Sequence, residues 1–308
     1  MTPKLFTKTQ RGWSLLCVAF YLLFYYLVSN SPNKVKKEPL LTLFTTWDDR
    51  TDLFRVRKIT LRNWAMLKPY GIRPVLFSNV SAILQQAKAH GWDTMPITKT
   101  TIGVPLLKHM YLNIVNRFNS TLYCFANGDI LFTTDLVESL RAILTTYFKN
   151  SPPLLVVGRR TNVDEVTEEE TKTLEGVDKT GKKRGKLFVA DAEDYFITDK
   201  KFPWADIPSL VVGRRAYDNY LVQNSIRNNY TVVDITETSL ALHQTTTRGG
   251  NFEGHGYRNP DYNVRLLSKL YKKEIPYLSG SVDCTLWRTF IREGKIVVIK
   301  RLNRPSHC

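Results

Sequence analysis

An α/β fold with a largely parallel sheet is what this sequence predicts, and three observations predict it. Strand-like and helix-like segments alternate from residue 40 onward, the pattern of stacked βαβ units. Short polar, Gly- or Pro-marked breaks separate them, so few long excursions interrupt the layers. And the run "YCFANGDILF" at 123–132 puts a polar tripeptide at the carboxyl end of an apolar strand, where open α/β sheets bind their ligands.

Taken in order, "LLTLFTTW" (40–47) is a β-prone apolar run closed by Asp48-Asp49-Arg50. Residues 53–67 carry apolar side chains at helical spacing. "IRPVLFSN" (72–79) returns to strand character, and "SAILQQAKAHG" (81–91) reads as a helix stopped by Gly91. "PLLKHMYLNIVNRF" (105–118) is helix-like and "TLYCFA" a strand; "DLVESLRAILTTYF" (135–148) is the next helix and "PLLVVGRR" (153–160) the next strand. Residues 161–186, acidic in "DEVTEEE" and basic in "KTGKKRGK", have few large apolar residues and read as a mobile surface loop. Structure resumes at "LFVADAEDYFIT", then "SLVVGRRAYDNYLVQNSIRNNYTVVDIT" and "ALHQ". The tail 249–308 mixes Gly-rich, basic and aromatic segments without a readable period.

Composition narrows the function. The chain has 308 residues, a net charge of +16, 43% hydrophobic residues and 23% charged ones, enough for one large globular domain or two small ones. That charge favours anionic partners such as nucleotides, acidic glycans or a membrane surface. The basic residues are spread along the chain and no zinc-finger spacing occurs, which argues against nucleic acid. No Walker or dinucleotide loop is present, against kinases and dehydrogenases.

Residues 12–28, "GWSLLCVAFYLLFYYLV", are uncharged and of the length that just spans a bilayer, so they read as a signal anchor behind a short tail, 1–11. Lys4, Lys8 and Arg11 before it and Lys34, Lys36 and Lys37 after it nearly balance. Three glycosylation sequons, at Asn79, Asn119 and Asn229, all follow it and favour a lumenal domain from residue 40 to 308 behind a stem, 29–39. Cys124 looks buried in a strand, which leaves Cys284 and Cys308 for a bridge.

The chemistry gathers around Asn127-Gly128-Asp129. A charge at the end of a buried strand needs a cationic partner, and a metal ion, an arginine or a helix N-terminus would each serve. Asn-Gly and Gly-Asp are also turn signals. A hard divalent ion is typically held by one or two such oxygens together with substrate phosphates. Among the other candidates, Asp218 is either a reactive carboxyl or a helix N-cap, and His243 a ligand or a core histidine. Arg214 and Arg215 either meet a diphosphate or form a solvated pair, and Trp204 either stacks on a sugar or lies in the core.

Strand, "NGD", "ILF", then Gly213, the helix "AYDNYLVQNSIRNN", the strand "YTVVDIT" and His243 in "ALHQ" resemble, across roughly residues 40–245, the glycosyltransferases of the GT-A fold. The resemblance implies a nucleotide-sugar-binding domain in a single-pass type II Golgi membrane protein, using Mn²⁺ or Mg²⁺ and a UDP- or GDP-sugar to glycosylate a glycan or glycoconjugate. It implies Asp129 and His243 as metal ligands, Asn127, Gly128, Gly213 and Asp48 on the donor, with Asp49 an alternative to Asp48, and Asp218 as the base. The sequence departs from the family pattern at Asn127, where Asp is commoner, and at Tyr217, where Glu precedes the base. A literal Ala-Glu-Asp at 192–194 makes Asp194 a competing base. These departures leave open a membrane-anchored glycan- or protein-binding module without turnover.

Overall fold

Alternation of side chains across a strand builds the core here. In Leu122–Ala126, Leu122, Cys124 and Ala126 enter one apolar layer while Tyr123 and Phe125 enter another, as the two-residue period of a strand requires. The computed structural model describes residue 21 and residues 38–50, 52–146, 151–246, 259–272 and 277–308. Contacts divide the chain into Met1–Lys37 and Glu38–Cys308, and the second unit carries every element below. No helix among the described residues is long and apolar enough to cross a membrane. The anchor expected at 12–28 lies, apart from Tyr21, outside them.

The chain runs β1 (Leu41–Thr46), α1 (Phe54–Met66), β2 (Ile72–Phe77), α2 (Ser81–Ala89), β3 (Asp93–Met95), the short pair β4 (Thr100–Thr101) and β5 (Val104–Pro105), α3 (Leu107–Arg117), β6 (Leu122–Ala126) and β7 (Ile130–Phe132). It continues through α4 (Thr134–Thr146), β8 (Leu154–Val157), β9 (Thr161–Asp164), α5 (Leu174–Arg184), β10 (Lys186–Leu187) and β11 (Tyr195–Asp199). Then come α6 (Tyr217–Arg227), β12 (Thr231–Asp234), β13 (Ala241–Thr245), α7 (Tyr262–Tyr271) and the hairpin β14 (Trp287–Arg292) and β15 (Lys295–Lys300).

The large sheet has the order β15-β14-β12-β8-β11-β6-β1-β2-β3. Its β6-β1-β2-β3 half is parallel, and β11 enters antiparallel to both β6 and β8. The fold is thus α/β with a mixed, mostly parallel sheet. Helices α1, α2 and α4 cover one face through Leu61, Trp64, Ile83 and Leu140. Helices α3, α6 and α7 cover the other through Met110, Tyr111, Leu221 and Leu267.

The strand order turns at β1: β2 and β3 extend to one side of it and β6 lies on the other. A crevice opens outside the carboxyl ends of neighbouring strands at such a switch point. After β6 the chain leaves the large sheet, passes Asn127-Gly128-Asp129 and enters a second sheet, β10-β9-β13-β7. The tripeptide is the crossing between two sheets, which is why a polar turn interrupts two apolar runs.

The 161–186 segment differs from expectation. It is β9, α5 and β10 rather than a mobile loop. Few apolar residues suffice because Val163, Val166 and Val177 pack with Ile59, Leu131 and Leu242 in a separate small core. Its charges pair: Glu175 with Lys179 and Asp178 with Lys182 along the helix, and Glu170 with Arg184. Thr173 caps α5 by accepting a hydrogen bond from Gly176 N. In the tail, Cys284 and Cys308 form a disulfide, and Cys124 is a buried free thiol.

Candidate active site

Asp129 and His243 are separated by more than a hundred residues and joined by register. In the antiparallel β7/β13 ladder His243 pairs with Ile130, and Gln244 N donates to Asp129 O at 3.1 Å. His243 Nε2 thereby lies 3.2 Å from Asp129 Oδ2, while Nδ1 lies 3.2 Å from Thr245 Oγ1. His243 is 1% exposed. Asp129 Oδ1 is shielded from solvent and has no hydrogen-bond partner among the described residues. Burial pushes the Asp129 carboxyl up, but the His243 ring and the Arg160 guanidinium outweigh it and hold it below its ordinary range.

Gly128 is required by a neighbour. A Cβ there would sit 1.9 Å from Trp47 Nε1, and the rigid Trp47 ring is buried at the end of β1 beside Trp92. Thr60 Oγ1 also donates to Gly128 O at 2.9 Å, fixing the loop onto α1. Gly128→Ala is expected to destabilise the fold by about 1–3 kcal/mol, the usual cost of overpacking. Chemical denaturation with Trp fluorescence measures both that loss and the displacement of Trp47.

Asn127 is committed to Asp194. Its backbone N–H donates to Asp194 O at 2.8 Å, and its Nδ2 donates to Asp194 Oδ1 at 2.6 Å. Arg160 Nη1 donates to Asp194 Oδ2 at 2.5 Å. Both oxygens of Asp194 are therefore engaged. The meeting follows from register, since antiparallel β11 places Tyr195 opposite Ala126 and so brings residues before β11 to the ends of β6 and β1.

Asp218 lies in the first turn of α6. Ala216, just before it, has φ 76°, a left-handed conformation costing an alanine about 1–2 kcal/mol. Burial of Ala216 in the core holds it there, and Gly213 at φ 64° turns the chain ahead of it. Asp218 Oδ1 has no hydrogen-bond partner among the described residues. Burial pushes this carboxyl from 3.8 to about 7; the Asn219 amide opposes the shift, while Asp194 and Asp191 reinforce it. A first-turn position favours a carboxylate by about 0.3–1 kcal/mol, less than one pKa unit, so burial and the neighbouring acids win.

These groups share one cleft of about 890 Å³. Asp48, Asn127, Gly128, Asp129, Asp194, Gly213, Asp218 and His243 all line it, so the candidate base, donor and metal residues named here converge there. At the β1 end, Asp48 accepts from Arg57 Nη2 at 2.7 Å and from Arg50 Nε at 3.2 Å. Burial pushes Asp48 up and the two guanidinium groups overcome it, so the carboxyl sits low. Arg214 also lines the cleft, its charge disfavoured first by burial and then by Arg50. Arg215 lines it too and pairs with Asp261. Trp204 belongs to the core: it stacks on Tyr111 with centroids 3.6 Å apart and donates to Thr198 Oγ1.

Sequence reasoning missed Glu193. It lines the same cleft, is 1% exposed, and neither of its carboxyl oxygens makes a hydrogen bond among the described residues. Burial, then the charge of Asp218, raises it well above the carboxylate range. The available signal was "DAED" directly before the wholly buried strand β11.

No family model matches the sequence, and no curated protein matches it. Among solved structures, a mannosyltransferase from Pyrobaculum calidifontis in complex with GDP-Man and Mn²⁺ is similar at a TM-score of 0.44 and 9% identity, over 86% of this chain and 77% of that one. The inositol-1-phosphate CTP transferase from T. maritima is similar at 0.42 and 11%, over 78% and 99%. A CMP:2-keto-3-deoxy-manno-octonic acid synthetase complexed with CTP is similar at 0.37 and 7%, over 68% and 91%. Likenesses this remote assign no chemistry, which has to come from the cleft itself.

Proposed function

We propose that this protein is a metal-dependent glycosyltransferase that moves a sugar from a nucleotide-diphosphate donor to a hydroxyl acceptor. The observation that carries the reading is the Asp129–His243 pair at the sheet's switch point. Two atoms on adjacent positions of an octahedral ion with ligands at about 2.1 Å stand about 3 Å apart. The Asp129 Oδ2 to His243 Nε2 separation is 3.2 Å, and Asp129 Oδ1 is a buried acceptor without a donor among the described residues. The carboxylate, with phosphate oxygens and water, suits Mn²⁺ or Mg²⁺, and the imidazole favours Mn²⁺ of the two, because Mg²⁺ prefers oxygen ligands throughout. Bound there, the ion would neutralise charge on the departing diphosphate.

The chain's own residues supply the rest. Arg50 and Arg214 bring positive charge to the β1 side of the cleft, where guanidinium groups suit phosphate oxygens. Arg160 and Asn127 hold Asp194 and with it the start of β11. Asp218, with a pKa of about 7, is matched to general-base work near neutral pH. In the inverting version, the acceptor oxygen bonds to the anomeric carbon, the bond to the diphosphate oxygen breaks, and the hydroxyl proton passes to Asp218. Asp194, both oxygens engaged, is the poorer base and serves to position Asn127.

On this reading the segment 12–28 is a signal anchor that places the domain in the Golgi lumen, and the Cys284–Cys308 disulfide suits that oxidising compartment. The deciding measurement is Mn²⁺-dependent nucleotide release by the domain from residue 38 onward, over a panel of UDP- and GDP-sugars. Release from one donor, lost on chelation, supports the transferase and names the nucleotide; anomer analysis of the product by NMR then separates inversion from retention. Donor binding without release from any of them would favour a binding module.

A further inference from the structure

The cleft has two electrical poles. Arg50, Arg57 and Arg214 stand on the β1 side, around Asp48. On the side formed by the start of β11 and the start of α6, Asp191, Glu193, Asp194 and Asp218 act on one another, and Arg160 there has its Nη1 on Asp194. Within this acidic side Glu193 stands out. It is all but fully buried and neither oxygen has a hydrogen-bond partner among the described residues. A buried carboxyl left unsatisfied carries its full desolvation penalty, and an apolar side chain would serve the β11 strand start better. A group kept in that condition is suited to a partner that arrives from outside.

We infer that Glu193 positions the acceptor of this transferase beside Asp218, and that the acceptor is a neutral, hydroxyl-bearing glycan rather than an acidic one. The inference rests on the transferase reading of the same cleft and adds the acceptor's chemistry to it. A carboxylic acid offers one O–H donor and a carbonyl acceptor, the two functions needed to hold a sugar hydroxyl. Its place near Asp218 lets it orient the sugar whose neighbouring hydroxyl gives up a proton. An anionic acceptor would meet the like charges of Asp191 and Asp218, which repel it at the effective dielectric of a protein cleft. The net charge of +16 points the other way, toward acidic acceptors. The local arrangement decides, because an acceptor is chosen inside the cleft and the excess positive charge is spread over the whole chain.

The test uses the domain from residue 38 onward with its own donor and Mn²⁺, and scores stimulation of nucleotide release by methyl glycosides. Methyl galactoside, glucoside, xyloside and N-acetylglucosaminide are the neutral probes, methyl glucuronide the acidic one and methyl glucosaminide the cationic one. Stimulation by a neutral probe and none by the glucuronide is expected. Glu193→Leu is expected to raise the KM for that probe about tenfold or more, the loss of one buried hydrogen bond, while folding as stably as the parent or better. Glu193→Gln, whose amide still donates and accepts, is expected to stay within about threefold of the parent. A structural glutamate would behave in the opposite way, with Glu193→Leu melting lower and the acceptor KM unmoved, and that result overturns the inference. Preference for the glucuronide or the glucosaminide also overturns it. Absence of nucleotide release from every donor instead removes the transferase reading, and this inference falls with it.

Discussion

Asp218→Asn is expected to lower transfer by about 10²–10⁴-fold, the usual contribution of a positioned general base, while leaving the protein at least as stable as the parent at neutral pH. The two halves have one cause. The folded protein holds the Asp218 carboxyl at about 7, against 3.8 for the ordinary group, so the fold favours the neutral form. The stability this contributes is complete below about pH 3.8 and is lost as pH rises through about 7, because the unfolded chain then releases its proton more readily. Above pH 7 the ionised carboxylate is a cost, at most about 4 kcal/mol at about 1.4 kcal/mol per pKa unit, and less because the group is partly open to the cleft.

Asparagine removes the charge and with it both the cost and the base. In the parent, kcat/KM is expected to climb with pH and level off above about 7, as a base ionising there requires. In Asp218→Asn the remaining rate should be flat across that range. Thermal unfolding of the two proteins at about pH 5 and about pH 8 completes the experiment: the variant's advantage should be small at the lower pH and larger at the higher. A variant with near-normal turnover would leave Asp218 as a helix N-terminal residue, and the base would have to be sought elsewhere in the cleft.

Much of this site was legible because it depends on local period. The apolar run of β6, the polar Asn127-Gly128-Asp129 and the order α6, β12, His243 are each readable within a dozen residues, and each lies where the spacing places it. Pairing was not legible. Asp129 meets His243 through the β7/β13 register, and Asn127 meets Asp194 because β11 runs antiparallel to β6; neither partner choice is written in a local window. Asn127 lines the cleft as expected, and its hold on Asp194 went unread for that reason.

Composition masked two further features that spacing carries. The charged stretch 161–186 looked unable to fold, yet Glu175–Lys179 and Asp178–Lys182 stand four apart, the spacing that supports a helix. In the tail, Glu293 and Gly294 both have positive φ, 51° and 72°, and join two paired strands. Two such central residues make the tight turn a hairpin prefers, and the Gly was visible. Glu193 is not distinguishable in the sequence from Asp194 beside it, whose oxygens are occupied in the fold.

Removing the Asp129 carboxylate separates a metal site from an ordinary buried ion pair. Both accounts predict that Asp129→Asn lowers activity, so the informative readout is stability with and without metal. If Asp129 and His243 merely pair, the variant loses stability in metal-free buffer because a buried His243 loses its partner, and Mn²⁺ leaves the parent's Tm unchanged. If they are ligands, Mn²⁺ with a nucleoside diphosphate raises the parent's Tm, by about 2.7 kcal/mol of stability at a hundred times the dissociation constant. That gain should vanish in Asp129→Asn and fall sharply in His243→Ala, by no less than the about 10–100-fold affinity loss that follows removal of an outer-shell partner. Nucleotide release should drop with the same ranking, to background in Asp129→Asn. The second pattern is expected, because Asp129 Oδ1 is buried without a donor among the described residues. One imidazole nitrogen at 3.2 Å from the other oxygen satisfies half of that carboxylate, and a cation that reaches both groups satisfies the rest.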